Sequence, residues 1–224
     1  VVNELRFADE YLYGLGEMPS SWPQAALEAQ AIAGRSYAYA KVDAKRRTSC
    51  NCNVVDSTAD QFFTGWLKES EGTNAVWGNR WKAAVDAVTA GDKGRVVLHD
   101  GVVATTYYSS STGGRTANSE DVWSAKLPYI RSVDDSWSQK APGSLVNTNR
   151  VWTVTLSQAR AASFFGLTDI VRIDVTDRWE SGQARTMRAT SADGRTAERT
   201  EKGDTFRTAL GLLGGWIDGV TPKD

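Results

Sequence analysis

The sequence predicts an α+β protein of mixed helices and antiparallel hairpins in one compact domain, or in two lobes around a cleft. A helix start is signalled at Ser21 and Pro23, which suit the N-cap and the first helical turn, and an Ala-rich run follows. Asp-Gly pairs at residues 100–101 and 193–194 lie between β-rich segments and predict tight hairpin turns. These observations together indicate both element types.

The remaining elements follow from the spacing of the apolar residues. Alternation indicates a strand, and spacing of three to four residues indicates a helix. From the N-terminus, the sequence predicts a strand over residues 1–13, helices over 59–70 and 75–90, strands over 151–157, 170–179 and 184–201, and helices over 158–165 and 205–213. A polar connection over 133–150 either marks a lobe boundary or crosses the surface.

The composition excludes several classes of protein. The chain has 224 residues, of which 26 are basic and 27 acidic, and its net charge is -1. No overall field would gather a polyanion, so nucleic acid is not an expected partner. No apolar run approaches the ~20 residues that cross a bilayer, so this segment is not expected to insert directly into a membrane. The composition is that of an ordinary globular protein.

Glu17 is the candidate catalytic residue. It lies between Gly16 and Met18, just before the predicted helix, where few polar side chains are near in sequence. Apolar surroundings disfavour the charged form of a carboxyl group, so such a group can hold a proton near neutral pH and act as a general acid. The other interpretation is an acid exposed on a loop.

Gln30 and Arg35 are candidate binding residues on different turns of the predicted helix. An arginine on a partly buried helix supplies a fixed guanidinium fork. We expect this cation to order either the carboxyl group of Glu17 or its substrate.

A Ser-Gly loop that follows the predicted hairpin is the second candidate binding region. Its glycines let the backbone approach a ligand closely, and its hydroxyl and N–H groups suit sugar hydroxyls or an acetamido group. The other interpretation is a flexible surface loop. The candidate residues of this region are Tyr108, Ser109, Ser110, Ser111, Gly113 and Gly114.

The residues that could bind a metal are few. Cys50 and Cys52 are the only cysteines and His99 is the only histidine. Structural zinc needs four ligands, and cysteine pairs usually have two intervening residues, so neither a metal nor another cofactor is predicted. A disulfide, free thiols and metal binding all stay open for the two cysteines, and an oxidising compartment would favour the disulfide. His99 is interpreted as a solvated residue beside a turn.

Four segments of the chain share their order and spacing with a known family. EMPSSWPQAALEAQAIAGRSYA, CNCNVVDSTADQFFTGW, YYSSSTGGRTANSEDVWSAKLPYIRSVDD and GDTFRTALGL resemble the opening motif, the Cys-Asp-Gln segment, the Ser-Gly loop and the closing motif of the SpoIID/LytB family. The resemblance implies one SpoIID-like domain over residues 1–224. The chain departs from the family at Ala25, where glutamate is usual, and it lacks the histidine that binds zinc with cysteine in some members.

The resemblance implies a peptidoglycan lytic transglycosylase that acts outside the cytoplasm, either secreted or associated with the cell envelope. In that reaction Glu17 would protonate the leaving N-acetylglucosamine oxygen, and its carboxylate would then deprotonate the 6-hydroxyl of N-acetylmuramic acid. The product has a 1,6-anhydro end. Glycan strands are the implied partner, with other cell-wall hydrolases as further ones, and the residues implied to position the glycan are Gln30, Arg35, Gln61, Tyr108 and the Ser-Gly loop.

Other functions also remain open. The chain could be a non-catalytic, cell-wall-binding amidase enhancer, or a carbohydrate-binding module in which Glu17 only accepts a hydrogen bond. A conventional glycoside hydrolase would need a second carboxylate. Asp56, Asp60, Asp121, Asp134 and Asp135 are the residues that could supply it.

Overall fold

The computed structural model of the protein describes residues 2–42, 45–91, 93–140 and 148–222. Its contacts divide the chain into two compact units, residues 1–108 and 109–224, called here the first and the second unit. The connection over 133–150 lies within the second unit, and its residues 141–147 are outside the described residues. The lobe boundary proposed near that connection therefore stays a prediction.

Helices dominate the first unit. Helix α1 (Gln24–Val42) begins directly after Pro23, slightly later than the N-cap predicted at Ser21. Helix α2 (Trp66–Glu69) is short, and a 3₁₀ turn (Thr73–Ala75) leads into helix α3 (Val76–Ala87). Two small antiparallel hairpins follow, β1 (Thr89–Ala90) with β2 (Lys93–Gly94) and β3 (Leu98–His99) with β4 (Val102–Val103).

The core of the first unit forms where α1 packs against α3. Small residues of α1, Ala31 and Ala38, are fully buried and allow Trp81 of α3 to approach closely. Gly34 lets Leu15 approach α1 closely, because a Cβ there would lie 2.9 Å from a methyl carbon of Leu15. This packing fixes α1 against the loop that carries Glu17.

Two predictions for the first unit are wrong. Residues 7–11 form a π-helical turn, where a strand was predicted, because Arg6 pairs with Asp9 and Glu10 three and four residues on. Residues 59–65 are irregular, where a helix was predicted. Their main-chain groups bond to other segments, as when Phe63 N–H donates to Asp56 at 2.8 Å.

The second unit contains a three-stranded antiparallel sheet. Its strands are β5 (Ile170–Arg178), β6 (Ala184–Ser191) and β7 (Thr196–Thr200), paired in that order. Helices α5 (Gln158–Phe165) and α6 (Thr205–Leu210) supply Phe165, Phe206 and Leu210 to the core around the sheet. A short helix α4 (Ser119–Val122) and a 3₁₀ turn (Ser136–Gln139) precede them.

The hairpin predictions are confirmed. In the second unit, however, one predicted strand and one predicted helix end are wrong. Asp100 and Gly101 both have positive φ, at 49° and 78°, as their tight turn requires. Residues 151–157 are not a strand, although Trp152 and Leu156 still point alternately into the core. Helix α6 ends at Leu210 rather than at residue 213, because Gly211 adopts a left-handed conformation.

Together these elements confirm the α+β class. No helix among the described residues is both long and apolar enough to span a bilayer.

Candidate functional site

The loop that carries Glu17 is held by main-chain pairing with residues 62–65. Gly16 N–H donates to the carbonyl of Phe62 at 2.9 Å, and Thr64 N–H donates to the carbonyl of Gly14 at 2.8 Å. Gly14 has to be glycine, because a Cβ there would lie 2.3 Å from the ring of Phe63. The Gly-rich sequence thus permits a close approach of two backbones, and Glu17 follows immediately after it.

Two hydrogen-bond donors converge on one oxygen of Glu17. Phe62 N–H lies 2.7 Å from Oε1, and the hydroxyl of Tyr108 lies 3.1 Å from the same atom. Glu17 is half-buried. Donation to a carboxylate stabilises its ionised form, so these two groups can stabilise a negative charge on this oxygen.

The hydroxyl of Tyr108 is itself held by a relay of buried side chains. Gln61 is 1% exposed, and its Nε2 donates to the Tyr108 hydroxyl at 2.8 Å and to the carbonyl of Gly34 at 3.3 Å. Tyr11 donates to Oε1 of Gln61 at 2.7 Å. The series Tyr11, Gln61, Tyr108, Glu17 is called here the neutral relay. It fixes the amide of Gln61 in one orientation, and with it the donor to Glu17.

The pKa values of both tyrosines in the neutral relay are raised. Burial is the main cause for Tyr108; the amide of Gln61 acts in the opposite direction, and the charge of Glu17 raises the pKa further. Burial likewise raises the pKa of Tyr11. Both hydroxyls therefore stay protonated and keep donating throughout the neutral pH range.

A pocket of about 400 Å³ opens beside Glu17. Its lining combines apolar side chains with two carboxyl groups and one ammonium group. The lining residues are Gly16, Glu17, Met18, Pro19, Phe62, Thr64, Leu67, Lys68 and Glu71.

A charged network holds the residues that follow Glu17 in this loop. Lys68 is 5% exposed, and its Nζ lies 2.7 Å from the carbonyl oxygen of Met18 and 2.7 Å from Oε2 of Glu71. The hydroxyl of Ser20 donates to the same Oε2 at 2.6 Å. Burial raises the pKa of Glu71, but the bonds from Lys68 and Ser20 outweigh it and leave the pKa below its usual value. Ser20, Glu71 and Lys68 are called here the charged clamp.

Arg35 and Gln30 do not join Glu17 through any hydrogen bond within the described part of the chain. Arg35 is buried, and its Nη1 donates to the carbonyls of Val88 and Arg95 at 3.1 and 3.0 Å. Burial lowers its pKa. Nε2 of Gln30 is buried without a hydrogen-bond partner in the described structure. Contacts of either side chain with a substrate stay predictions, and the observed contacts of Arg35 hold the end of α3.

The Ser-Gly loop belongs to the second unit, although Ser109 directly follows Tyr108 in the chain. Ser109, Ser110 and Ser111 are exposed. Gly113 and Gly114 have φ values of 79° and 105°, and the ring of Trp216 packs so closely on Gly113 that a Cβ would lie 2.8 Å from it. Their role in binding stays a prediction.

The two cysteines form a disulfide next to an ion pair whose carboxyl group is buried. Cys50 and Cys52 are joined, and Arg47 N–H donates to the carbonyl of Cys52 at 2.9 Å. The guanidinium of Arg47 lies 2.7 Å from Oδ1 of Asp60, which also accepts from the hydroxyl of Tyr37. Within the described residues, no three His, Cys, Asp or Glu side chains cluster as metal ligands would.

Sequence reasoning missed the roles of Tyr11, Phe62 and Lys68. Tyr11 lies in a segment predicted to be a strand, and the contribution of Phe62 to Glu17 is a main-chain N–H, which no residue type reveals. From the sequence alone, Lys68 would be expected on the solvated face of a helix, since lysine is rarely buried without a partner. Its partners, the Met18 carbonyl and Glu71, become apparent only in three dimensions.

Comparison with known proteins relates the chain to one family. Residues 1–96, which include Glu17 and Gln61, match the family model described as SpoIID, stage II sporulation protein. The chain is 28% identical over 86% of its length to a protein named amidase enhancer from Bacillus subtilis (strain 168). It is also 26% and 28% identical, over 60% of its length, to proteins named stage II sporulation protein D from Bacillus subtilis (strain 168) and Bacillus amyloliquefaciens.

The chain spans 26% of the length of the amidase enhancer and 40% of the length of each sporulation protein. Its matches therefore concern a part of those proteins. The match of its first 96 residues and these relatives support the SpoIID/LytB family for this chain.

Proposed function

We propose that this protein is a lytic transglycosylase that cleaves the bond between N-acetylmuramic acid and N-acetylglucosamine in peptidoglycan. The observation that carries the proposal is the Glu17 carboxyl group, which meets two donors at Oε1 and borders a pocket. One carboxyl group is sufficient for this reaction, because the nucleophile is a hydroxyl group of the substrate itself.

The proton balance assigns Glu17 two successive roles. Protonated Glu17 donates to the glycosidic oxygen as the bond to the anomeric carbon breaks. The bonds from Phe62 N–H and the Tyr108 hydroxyl then stabilise the carboxylate that forms. That carboxylate takes the proton of the 6-hydroxyl group while the 6-oxygen attacks the anomeric carbon. The proton transfer restores protonated Glu17, and the new C–O bond closes the 1,6-anhydro ring.

The remaining residues of the proposal hold the glycan or the relay. Gln61 and Tyr11 orient Tyr108. Ser109, Ser110, Ser111, Gly113 and Gly114, together with Gln30 and Arg35, are the proposed glycan-binding residues outside the relay. The site of action is the cell wall, outside the cytoplasm, and other cell-wall hydrolases are the proposed protein partners. No cofactor has a part in the reaction, so we expect chelation with EDTA to leave the activity unchanged.

An amidase-enhancing function is the second candidate. It is favoured by the relative that covers the largest share of this chain among those described above, which is named amidase enhancer. In that case the protein would bind cell wall and stimulate a partner amidase without cleaving glycan itself. A plain carbohydrate-binding module would bind glycan without either effect.

Mass spectrometry of the products decides between these functions. Purified glycan strands, with and without stem peptides, are incubated with the protein and with its Glu17→Gln variant as the matched control. We expect fragments with 1,6-anhydro ends from the wild type only. Reducing ends would indicate hydrolysis and a second carboxylate. The absence of fragments, together with stimulation of an added amidase, would establish the enhancer function.

A further inference from the structure

The side chain of Phe62 is exposed beside Glu17 for a structural reason. Residues 61–63 alternate in direction, so that Gln61 is buried and Phe63 stacks on Tyr11, with ring centroids 5.7 Å apart. Phe62 lies between them and points outward, and 53% of it is exposed. Because Phe62 N–H donates to Glu17, the position of its ring is tied to that of the carboxyl group.

The ring of Phe62 is also held in place by the Gly-rich loop. A Cβ on Gly16 would lie only 3.0 Å from Cδ1 of Phe62, so the ring rests against this backbone. Leu67, which is 74% exposed, lines the same pocket. Single exposed apolar residues are common on protein surfaces. Here, however, Phe62 and Leu67 line one pocket together with Glu17, and they form an apolar wall in it.

The charges of the pocket indicate what this wall can bind. Glu17 and Glu71 supply two carboxyl groups, and Lys68 supplies the one ammonium group of the lining. Lys68 already donates to Glu71 and to the Met18 carbonyl, and it is nearly fully buried. Because this ammonium group is already bonded and buried, an acidic ligand would find no free cation in the lining, whereas a neutral ligand needs none.

We propose that Phe62 and Leu67 form a platform on which a neutral sugar ring of the glycan stacks beside Glu17. A pyranose ring has an apolar C–H face and a rim of hydroxyl groups, which match this wall and the polar groups around it. The inference rests on the proposed glycan substrate. Since the lactyl group of N-acetylmuramic acid carries a carboxylate when the stem peptide is absent, the sugar on the platform in peptide-free glycan is N-acetylglucosamine, the leaving group of the proposed reaction.

Binding of tetra-N-acetylchitotetraose, a neutral oligosaccharide, tests this platform. We expect Phe62→Ala to raise the Kd about tenfold, the effect of one lost ring-stacking contact. Leu67→Ala should raise it about threefold. Phe62→Tyr should retain the wild-type Kd, because it keeps the ring. Leu98→Ala, which truncates an exposed leucine on β3 outside the pocket, is the matched control and should leave binding unchanged.

Several outcomes would overturn the inference. They are no measurable binding by the wild type, a Kd of Phe62→Ala equal to that of the wild type, and equal binding of the acidic oligosaccharide tetragalacturonate. Loss of amidase stimulation in Phe62→Ala with unchanged oligosaccharide binding would also overturn it, since the wall would then contact a protein.

The same variants separate this inference from the proposed function. If chitotetraose binding depends on Phe62 but no 1,6-anhydro product is formed from glycan strands, the platform stands and the transglycosylase fails. If product is formed and Phe62→Ala keeps the wild-type KM and Kd, the transglycosylase stands and the platform is excluded.

Discussion

The neutral relay and the charged clamp hold the same loop by different means. The relay uses uncharged groups of Tyr11, Gln61 and Tyr108 and ends on the carboxyl group of Glu17 itself. The clamp uses the ion pair of Lys68 and Glu71 and ends on main chain at Met18 and on the side chain of Ser20.

The neutral relay orients the carboxyl group of Glu17, whereas the charged clamp supports the backbone of its loop. A relay of fixed amide and hydroxyl groups sets the direction of one carboxyl oxygen without bringing another formal charge near it. An ion pair with a buried ammonium group bonds strongly to the backbone, but losing one partner leaves the other charge uncompensated. We therefore expect changes in the relay to act mainly on activity and changes in the clamp mainly on stability.

Glu17→Gln should have the largest effect on activity, because it removes the transferable proton at the end of the relay. We expect glycan cleavage to fall about 10³-fold or more. Glutamine retains an oxygen that can accept from Phe62 N–H and Tyr108, so the melting temperature and glycan binding should stay close to those of the wild type. Near wild-type turnover would remove Glu17 from the mechanism.

Lys68→Met should have the largest effect on stability. It leaves Glu71 without its cation and the Met18 carbonyl without its donor. Because the side chain of Glu71 is 32% exposed and solvent screens its charge, we expect a loss of about 2 kcal/mol in the free energy of unfolding, measured by denaturant titration. The double variant Lys68→Met/Glu71→Leu is the control, since removing both charges should restore part of the loss. If the double variant is less stable than Lys68→Met, the ion pair is not the cause.

The clamp also predicts a pH dependence of stability. The folded-state pKa of Glu71 lies below its ordinary value of 4.5. Its contribution is therefore fully present above pH 4.5 and is lost as the pH falls through the folded-state pKa. The stability difference between the wild type and Lys68→Met should shrink over that acid range. A difference that is constant down to acid pH would contradict this assignment.

Tyr108→Phe should have a smaller effect that falls mainly on activity. It removes one of the two donors to Glu17, and we expect kcat to fall about tenfold while the free energy of unfolding falls by about 1 kcal/mol. Absorbance titration supplies a further check. Because burial and Glu17 raise the pKa of Tyr108 above its ordinary value of 10.0, removing it should not change the phenolate signal near pH 10.

Ser20→Ala should have the smallest effect of these changes. It removes one hydroxyl donor from Glu71 but leaves the bond from Lys68. We expect a loss of about 1 kcal/mol in the free energy of unfolding and unchanged kcat. A fall in kcat as large as that of Tyr108→Phe would show that the clamp and the relay are not separate.

The sequence predicted the parts of the fold that depend on local signals. Helix α1 begins after Pro23, and the turns at residues 100–101 and 193–194 occur where Asp-Gly pairs lie. Residues 59–65 could not be predicted in the same way, because their conformation depends on bonds to Gly14 and Asp56 rather than on their own spacing.

The residues of the site were predicted better than the hydrogen bonds that join them. Glu17, Gln61 and Tyr108 were named from the sequence or from the family resemblance, and the structure brings them together. Their bonds join side chains separated by 47 and 91 residues, which local spacing does not encode. Arg35, although named, bonds to carbonyls of Val88 and Arg95, because burial next to α3 provides nearer acceptors.

The disulfide between Cys50 and Cys52 makes the oxidation state of the protein a condition of its preparation. Arg47 links that small ring to Asp60, the residue directly before Gln61. Disulfides persist in oxidising compartments and are reduced in the cytosol. Protein produced in a reducing host, or stored with thiols, would therefore lack the disulfide near the Arg47–Asp60 ion pair, which adjoins the neutral relay. Preparations made under different redox conditions would then contain different molecules.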